Sequence, residues 1–128
     1  MKIKGKILTF NKLFGDGSYF TDDCKIDIPE KLPLLSDFNF SSPAIGNGVV
    51  TRTDDGLYFD GKITIKAEKD VVTELYSGLG GYYVKVKSHD DGLKRVIDES
   101  TLKSVSLVGH PMLPEFSFKI EEEKNEIS

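Results

Sequence analysis

Apolar and polar residues alternate around an Asp-Gly pair near the middle of the chain. Leu57 and Phe59 alternate with polar residues after the pair, and residues 49–52 form a run rich in β-branched side chains before it. An Asp-Gly pair between two such runs is the strongest short-range signal for a tight hairpin. Alternation also allows one face of the sheet to be buried while the other meets water. We therefore predict that residues 49–52 and 57–65 form adjacent antiparallel strands.

The alternation changes to helical spacing directly after this hairpin. Apolar residues recur there at intervals of three or four: Ala67, Val71 and Leu75, and also Val72 and Tyr76. This interval predicts a helix over residues 66–76, and the glycines that follow at positions 78, 80 and 81 are typical of a helix end. We expect the helix to pack over one opening of the sheet through Ala67, Val71 and Leu75.

Further runs with strand character lie on either side of these elements. Residues 3–10 and 22–28 precede the hairpin, and residues 82–87 and 105–108 follow the helix. This order predicts a mainly β protein with one or two helices, in which residues 1–118 form a single domain built as a small closed or nearly closed β-barrel. The acidic residues 119–128 carry few apolar side chains, and we expect them to be a flexible tail.

Composition excludes several kinds of partner. The chain has 128 residues, of which 38% are hydrophobic and 30% charged, as is typical of a globular protein with one core. No apolar run approaches the ~20 residues of a membrane span, and the run after the basic first residues is too short for a signal peptide. The net charge of −4, with lysines interleaved among acids, argues against a nucleic-acid surface. We therefore expect neither a membrane nor a nucleic-acid partner.

Cofactor and metal chemistry also lack a clear signature. Three pairs of adjacent aspartates adjoin predicted turns, at residues 22–23, 54–55 and 90–91, where solvated turn residues explain them better than metal ligands do. The glycine-rich residues 78–81 follow a helix and precede a strand, which reverses the order found in phosphate-binding loops. The single cysteine, Cys24, cannot form an intramolecular disulfide or a multi-cysteine zinc site. We predict no cofactor and no metal.

Three segments between about residues 34 and 116 carry a family resemblance. They are Ser-Pro-Ala-Ile-Gly at 42–46, Asp-Gly-Leu-Tyr-Phe-Asp-Gly-Lys-Ile at 55–63, and Leu-Lys-Ser-Val-Ser-Leu-Val-Gly-His-Pro at 102–111. Together with the helix and the glycine-rich turn, this order resembles the prohead maturation proteases of tailed bacteriophages. The resemblance implies a small β-barrel with helices, similar to the herpesvirus assembly proteases. Members of the family cut scaffold and capsid proteins with a serine, a histidine and a third polar or acidic residue.

The positions that the resemblance assigns to catalysis hold mostly unsuitable side chains. Phe40, or a neighbour, stands in the place of the histidine. The serine's place falls, depending on register, on Tyr76, Ser77 or Leu79, and the third residue's place falls on Ser104 or Ser106. A serine hydroxyl needs a positioned base, which phenylalanine cannot supply. An active pair would have to recruit one of the two histidines, His89 or His110, and if the protein is active we expect Ser77 and His110.

The resemblance therefore implies an inactive member of the family. We expect a non-catalytic phage head protein, acting as a minor capsid, scaffold-associated or protease-regulating protein, located in the phage head or prohead and in the host cytoplasm during assembly. The alternatives are an active serine endopeptidase that cleaves scaffold and capsid proteins, and an unrelated β-domain binding module. The expected partner is a capsid or scaffold chain, or a second copy, bound at an exposed strand edge. Four aromatic residues are the expected anchors: Phe38, Phe40, Tyr82 and Tyr83.

Overall fold

The computed structural model describes residues 1–121 and shows a mainly β protein. Within this range it contains one α-helix, α1 (Lys69–Leu75), and a short 3-10 turn at Pro114–Phe116. The strands, in chain order, are β1 (Lys2–Thr9), β2 (Ser18–Asp27), β3 (Leu32–Ser36), β4 (Gly46–Arg52), β5 (Gly56–Ile63), β6 (Gly78–Asp91), β7 (Lys94–Val108) and β8 (Phe118–Glu121). The predicted mainly β class with one helix is confirmed.

Strand β7 organises the sheet because it pairs with three other strands. Its whole length runs antiparallel to β6, from Lys94 opposite Asp91 to Val108 opposite Gly78. A strand has only two edges, so the other edge is shared: the first half of β7 pairs in parallel with β2 and the second half in parallel with β3. From β3 the sheet continues through β4, β5 and β1 to β8.

The sheet remains open and does not close into a barrel, so the prediction of a closed or nearly closed barrel is wrong. Within residues 1–121, β6 pairs only with β7 and β8 pairs only with β1. The physical reason is that β8 occupies the edge of β1 that β6 would need: Lys2 lies opposite Glu121, and Gly5 lies opposite Phe118. Strands β1 and β6 therefore approach each other without a ladder of hydrogen bonds between them. We call the space between their edges the seam.

The predicted central hairpin is confirmed. Strands β4 and β5 pair antiparallel, and Leu57 and Phe59 on β5 are buried in the core. Glycines make room for the larger of the two side chains, because a methyl group at Gly61 would come within 2.4 Å of the Phe59 ring. Strand β5 ends at Ile63 rather than at residue 65. The hairpin thus contributes Leu57 and Phe59 to the hydrophobic core.

The helix is present but is shorter than predicted and buries a different face. It covers Lys69–Leu75 rather than residues 66–76. Val72 is 4% exposed, whereas Val71 and Leu75 are 48% and 60% exposed, so the expectation that Val71 and Leu75 pack onto the sheet is wrong. Two turns of helix can bury only one narrow stripe, which here contains Val72. At the end of the helix, the hydroxyl of Tyr76 is hydrogen-bonded to that of Ser36.

The carboxyl-terminal boundary also differs from the prediction. Residues 119–121, predicted to belong to the flexible tail, lie in β8 and pair with β1. Ile120 is partly buried against the core, which explains why this segment joins the sheet despite its charged neighbours. The remainder of the predicted tail, residues 122–128, lies outside the described residues.

The turn between β4 and β5 is held by a charged cluster on its outer side. The carboxylate of Asp55 accepts hydrogen bonds from the hydroxyls of Thr53 and Tyr58, the latter at 2.9 Å, and from the ammonium of Lys6 at 3.2 Å. These bonds, with Thr53 making the largest contribution, lower the pKa of Asp55 to about 2. Lys6 also lies 3.7 Å from Glu115, so the cluster connects the hairpin to the 3-10 turn.

The buried stripe of α1 leads to a first prediction. We expect Val72→Ala to lower the free energy of unfolding by about 1–2 kcal/mol, because it removes buried methyl groups and leaves a cavity. Val71→Ala should change it by less than about 0.5 kcal/mol. Both changes alter helix propensity equally, so the difference between them, measured by urea denaturation, reports packing alone. Equal losses from the two variants would contradict the observed orientation of α1.

The Asp55 cluster leads to a second prediction, on acid stability. The pKa of Asp55 is lower in the folded protein than the value of ~3.9 in an unfolded chain. Its contribution to stability is therefore fully present above about pH 4 and is lost as the pH falls toward about 2. We expect Asp55→Asn to flatten the pH dependence of the urea midpoint in this window. Asp54→Asn, in the same turn, is the control, and an equal flattening there would refute the assignment.

Candidate functional site

The turn after β3 presents two of the predicted anchor residues. Asp37 and Phe38 both have left-handed backbone conformations, with φ of 47° and 57°, which is unfavourable for a bulky side chain such as phenylalanine. Backbone hydrogen bonds hold the turn against β7: Asp37 donates to the carbonyl of Leu107 at 2.8 Å, and Phe38 donates to the hydroxyl of Ser106 at 3.0 Å. The strained turn is therefore tied to the centre of the sheet.

Phe38, Phe40 and Tyr82 form one cluster, which we call the aromatic surface. The rings of Phe40 and Tyr82 lie 4.7 Å apart between centroids, and those of Phe38 and Tyr82 lie 6.5 Å apart. Phe38 is half-buried over Gly80, where a methyl group would come within 2.9 Å of its ring. Phe40 and Tyr82 remain 52% and 39% exposed. The structure thus brings together three of the four predicted anchors.

The aromatic surface lies beside an unpaired strand edge. In the part of the chain that the structure describes, β6 pairs with β7 along one edge, and its other edge faces the seam. Pro111 and Phe116 lie against Gly78, so the accessible part of this edge begins near Gly80. Bulges after Tyr82 and after Val84 interrupt its regular geometry. The accessible edge is therefore short and lies next to Tyr82.

Tyr83, the fourth predicted anchor, does not belong to the aromatic surface. Tyr82 and Tyr83 are consecutive in β6, and successive residues of a strand point to opposite faces. The Tyr83 ring packs 5.1 Å from that of Phe20, and its hydroxyl is fully buried. Burial, with a smaller contribution from the neighbouring Cys24, raises the pKa of Tyr83 well above its usual range. Its assignment as a surface anchor is corrected.

Ser77 lies away from the aromatic surface. Its hydroxyl donates to the carbonyl of Gly109 at 2.6 Å, and its backbone amide donates to the carbonyl of Val108 at 3.0 Å. Tyr82 follows five residues later along β6, which corresponds to roughly 16 Å of extended strand. His110 is exposed and lies at the rim of the seam. The bonds of Ser77 tie it to the end of β7, and no described bond joins it to a histidine.

Two of the other positions that the resemblance assigns to catalysis, Phe40 and Ser104, are each next to Tyr82. Phe40, in the place of the histidine, contacts the Tyr82 ring, and Ser104 lies directly opposite Tyr82 on β7. Ser106, the other position for the third residue, lies opposite Gly80 and accepts the hydrogen bond from Phe38. Both serines are buried. At the position that the resemblance assigns to the histidine, the structure therefore has an aromatic contact.

The second histidine takes part in a separate interaction. His89 lies far along the β6–β7 hairpin, where its Nδ1 is 2.7 Å from the carboxylate of Asp98. This hydrogen bond raises the pKa of His89. Both side chains are exposed, and a dozen residues of chain separate His89 from Ser77. The pair is a surface contact of the hairpin.

The described residues contain no group of three or more metal-binding side chains. Among residues 1–121, histidine, cysteine, aspartate and glutamate side chains do not come together in threes as a metal site would need. Over the same range, α1 is the only α-helix, and no helix has the length and apolar composition needed to cross a bilayer.

Sequence reasoning missed one feature of this region, a set of aromatic side chains in the seam. The ring of Phe14 lies 6.0 Å from both Phe20 and Phe116, although Phe116 is distant from the other two in the chain. Only the glycines at 80 and 81 beside Tyr83 could have indicated it, because paired glycines in a strand often mark the close approach of another group. Spacing along the chain could not bring the three phenylalanines together.

The bonding of Ser77 leads to a third prediction. We expect a serine-directed phosphonate to leave Ser77 unlabelled, because its proton is held by a backbone carbonyl that cannot act as a base. Mass spectrometry of the treated protein measures this directly, with an active serine protease as the positive control. Labelling at Ser77, or cleavage of a scaffold protein that Ser77→Ala abolishes, would establish the alternative of an active endopeptidase.

Comparison with known proteins provides no family for the chain. No protein-family model matches it, and no curated protein or solved structure is significantly similar to it. The resemblance to the prohead proteases therefore depends on the three segments quoted above, and a functional conclusion has to be drawn from the geometry of the site.

Proposed function

We propose that the protein is a non-catalytic phage head protein related to the prohead proteases, which binds an extended segment of a capsid or scaffold protein. The segment would lie along the accessible edge of β6, with its side chains on the aromatic surface. This role is that of a minor capsid, scaffold-associated or protease-regulating protein, acting in the prohead and, during assembly, in the host cytoplasm.

The contact between Phe40 and Tyr82 carries this proposal. Two aromatic rings 4.7 Å apart, both more than one third exposed, lie next to unpaired backbone groups of β6. Rigid aromatic side chains dominate the energetics of protein interfaces, and free strand edges bind extended segments through their main chain. Phe40, one of the two residues in this contact, stands where the resemblance places the catalytic histidine. A phenylalanine at this position supports binding of a segment rather than its hydrolysis.

A different protein is a better candidate for this edge than a second copy. Pairing of two identical β6 edges would bring their bulges and their lysines together, and both features oppose edge-to-edge association. Lys85 has a left-handed conformation with φ of 53°, and Lys87 follows it on the same strand. A partner segment of three to five residues would avoid this part of the strand. We therefore favour the capsid or scaffold chain.

Binding to these proteins provides a fourth prediction. We expect Phe40→Ala to weaken the affinity for the capsid or scaffold protein of the same phage by at least about tenfold, since removal of a central aromatic anchor costs ~2 kcal/mol or more. The measurement is isothermal titration calorimetry with purified proteins. Leu93→Ala is the matched control, because Leu93 is 95% exposed but lies at the turn of the β6–β7 hairpin, roughly 35 Å of strand from Tyr82.

Two results would contradict this proposal. The first is equal loss of affinity from Phe40→Ala and Leu93→Ala, which would place the interface elsewhere. The second is the absence of any binding to capsid and scaffold proteins, together with absence of the chain from purified proheads and virions. In that case the remaining alternative is a β-domain binding module unrelated to phage assembly.

A further inference from the structure

The strands beside the aromatic surface are basic, although the protein as a whole is acidic. The chain carries a net charge of −4, yet residues 78–89 of β6 contain no aspartate or glutamate. Residues 100–108 of β7, which pair with the first part of this stretch, contain none either. Three lysines lie in the two stretches: Lys85, Lys87 and Lys103. A local excess of positive charge beside an unpaired strand edge bears on the kind of segment that the edge can bind.

Lys103 lies beside the aromatic surface. Tyr82 is opposite Ser104 and Tyr83 is opposite Leu102, so the bulge leaves Lys103 between these two pairs. The residue is exposed, and its ammonium forms no ion pair within residues 1–121. A segment added to the free edge of β6 would lie about 10 Å from β7, which is two strand spacings. That distance is comparable to the Debye length of about 8 Å at physiological ionic strength, and an extended lysine side chain can cover much of it.

Lys85 provides a second positive charge at the far end of the accessible edge. It follows Tyr82 by three residues, which corresponds to roughly 10 Å of strand. It is exposed and, like Lys103, forms no ion pair with the described residues. Lys87 is less available, because its ammonium lies 3.2 Å from the carboxylate of Glu99. Two uncompensated cations therefore lie close to the part of β6 next to the aromatic surface.

The acidic residue of the turn after β3, Asp37, lies at the opposite end of this edge. Its carboxylate accepts a hydrogen bond from the amide of Gly109 at 3.3 Å, and Gly109 directly follows the residue of β7 that pairs with Gly78. Negative charge is thus held where the edge begins, and positive charge is concentrated from Tyr82 onwards.

We propose that the segment bound at the β6 edge is acidic, with an apolar residue on the aromatic surface and at least one aspartate or glutamate within reach of Lys103 or Lys85. This inference depends on the proposed function, because it specifies the chemistry of the segment that the interface binds. Exposed charge pairs contribute little affinity each, and their main effects are faster association and rejection of unsuitable segments. The aromatic contact would thus supply the affinity, and the lysines would select among apolar segments.

A peptide fits this surface better than a single-stranded nucleic acid does. Proteins that bind single strands also combine exposed aromatic rings with positive charge. The unpaired backbone groups of β6, however, can form a main-chain ladder only with a peptide. Two free lysines in a chain of net charge −4 also provide little of the phosphate neutralisation on which nucleic-acid affinity depends.

The test compares two peptides of the same length and shape, Glu-Val-Phe-Val-Glu and Gln-Val-Phe-Val-Gln, with blocked termini. Each is titrated into the full-length protein, and binding is followed by the amide NMR shifts of residues 80–84. At about 0.05 M salt we expect the acidic peptide to bind roughly three- to tenfold more tightly, as two exposed ion pairs allow. Raising the salt to about 1 M shortens the Debye length to about 3 Å and should remove this preference.

Lys103→Glu is expected to abolish the preference for the acidic peptide and to leave the affinity for the glutamine peptide unchanged. Lys62→Glu is the matched control, because Lys62 is exposed, forms no ion pair within residues 1–121 and lies on β5, three strands from β7 in the sheet. It changes the net charge equally, so the preference should persist. Both variants replace exposed lysines and should fold normally, which thermal denaturation checks.

The possible results separate this inference from the proposed function. Equal affinity for the two peptides, or an acidic preference that persists in Lys103→Glu, would overturn the inference and leave the proposed interface intact. Failure of both peptides to bind at millimolar concentration would contradict the interface and, with it, the inference. Tighter binding of a short oligothymidine, weakened by both Phe40→Ala and Lys103→Glu, would identify a nucleic-acid surface and overturn the proposal.

Discussion

The pairing of β7 on both edges is the constraint on which the rest of the structure depends. This strand of fifteen residues accepts β6 on one edge, and β2 and β3 in succession on the other, so it lies inside the sheet. Both faces of its second half are also covered, because the alternating residues Ser104 and Ser106 are buried together with Val105 and Leu107. It also sets the position of β6, whose far edge is left to form the seam.

Local signals in the sequence were sufficient for the elements whose partners are close along the chain. The β4–β5 hairpin is one turn long, so the Asp-Gly pair and the flanking alternation specify it completely. The spacing of apolar residues predicts the helix but not its buried face, because two overlapping stripes fit the spacing and only tertiary packing selects the one with Val72. The open sheet could not be foreseen because it depends on β8, whose four residues resemble a charged tail.

In the candidate site, too, some features could be predicted from the sequence and others could not. Phe38, Phe40 and Tyr82 were predicted as a group, and they meet because the turn after β3 is anchored to the β7 strand that pairs with β6. Tyr83 belongs to the opposite face, as the alternation of consecutive strand residues requires, and its inclusion among the surface anchors overlooks this alternation. The seam could not be predicted, since it brings together residues distant in the chain such as Phe14 and Phe116.

The parallel pairings of β7 have a consequence for the way the chain reaches its folded state. Strand β2 pairs in parallel with residues more than seventy positions later, and β1 completes its second edge only with β8. Such non-local contacts require long loops to be closed, at a cost in chain entropy, before the contacts contribute favourable energy. Folding should therefore be slow for a domain of this size. On the ribosome, the first half of the chain would expose unpaired strand edges until β7 emerges. Chaperone association during synthesis is therefore expected to last until most of the chain has been translated.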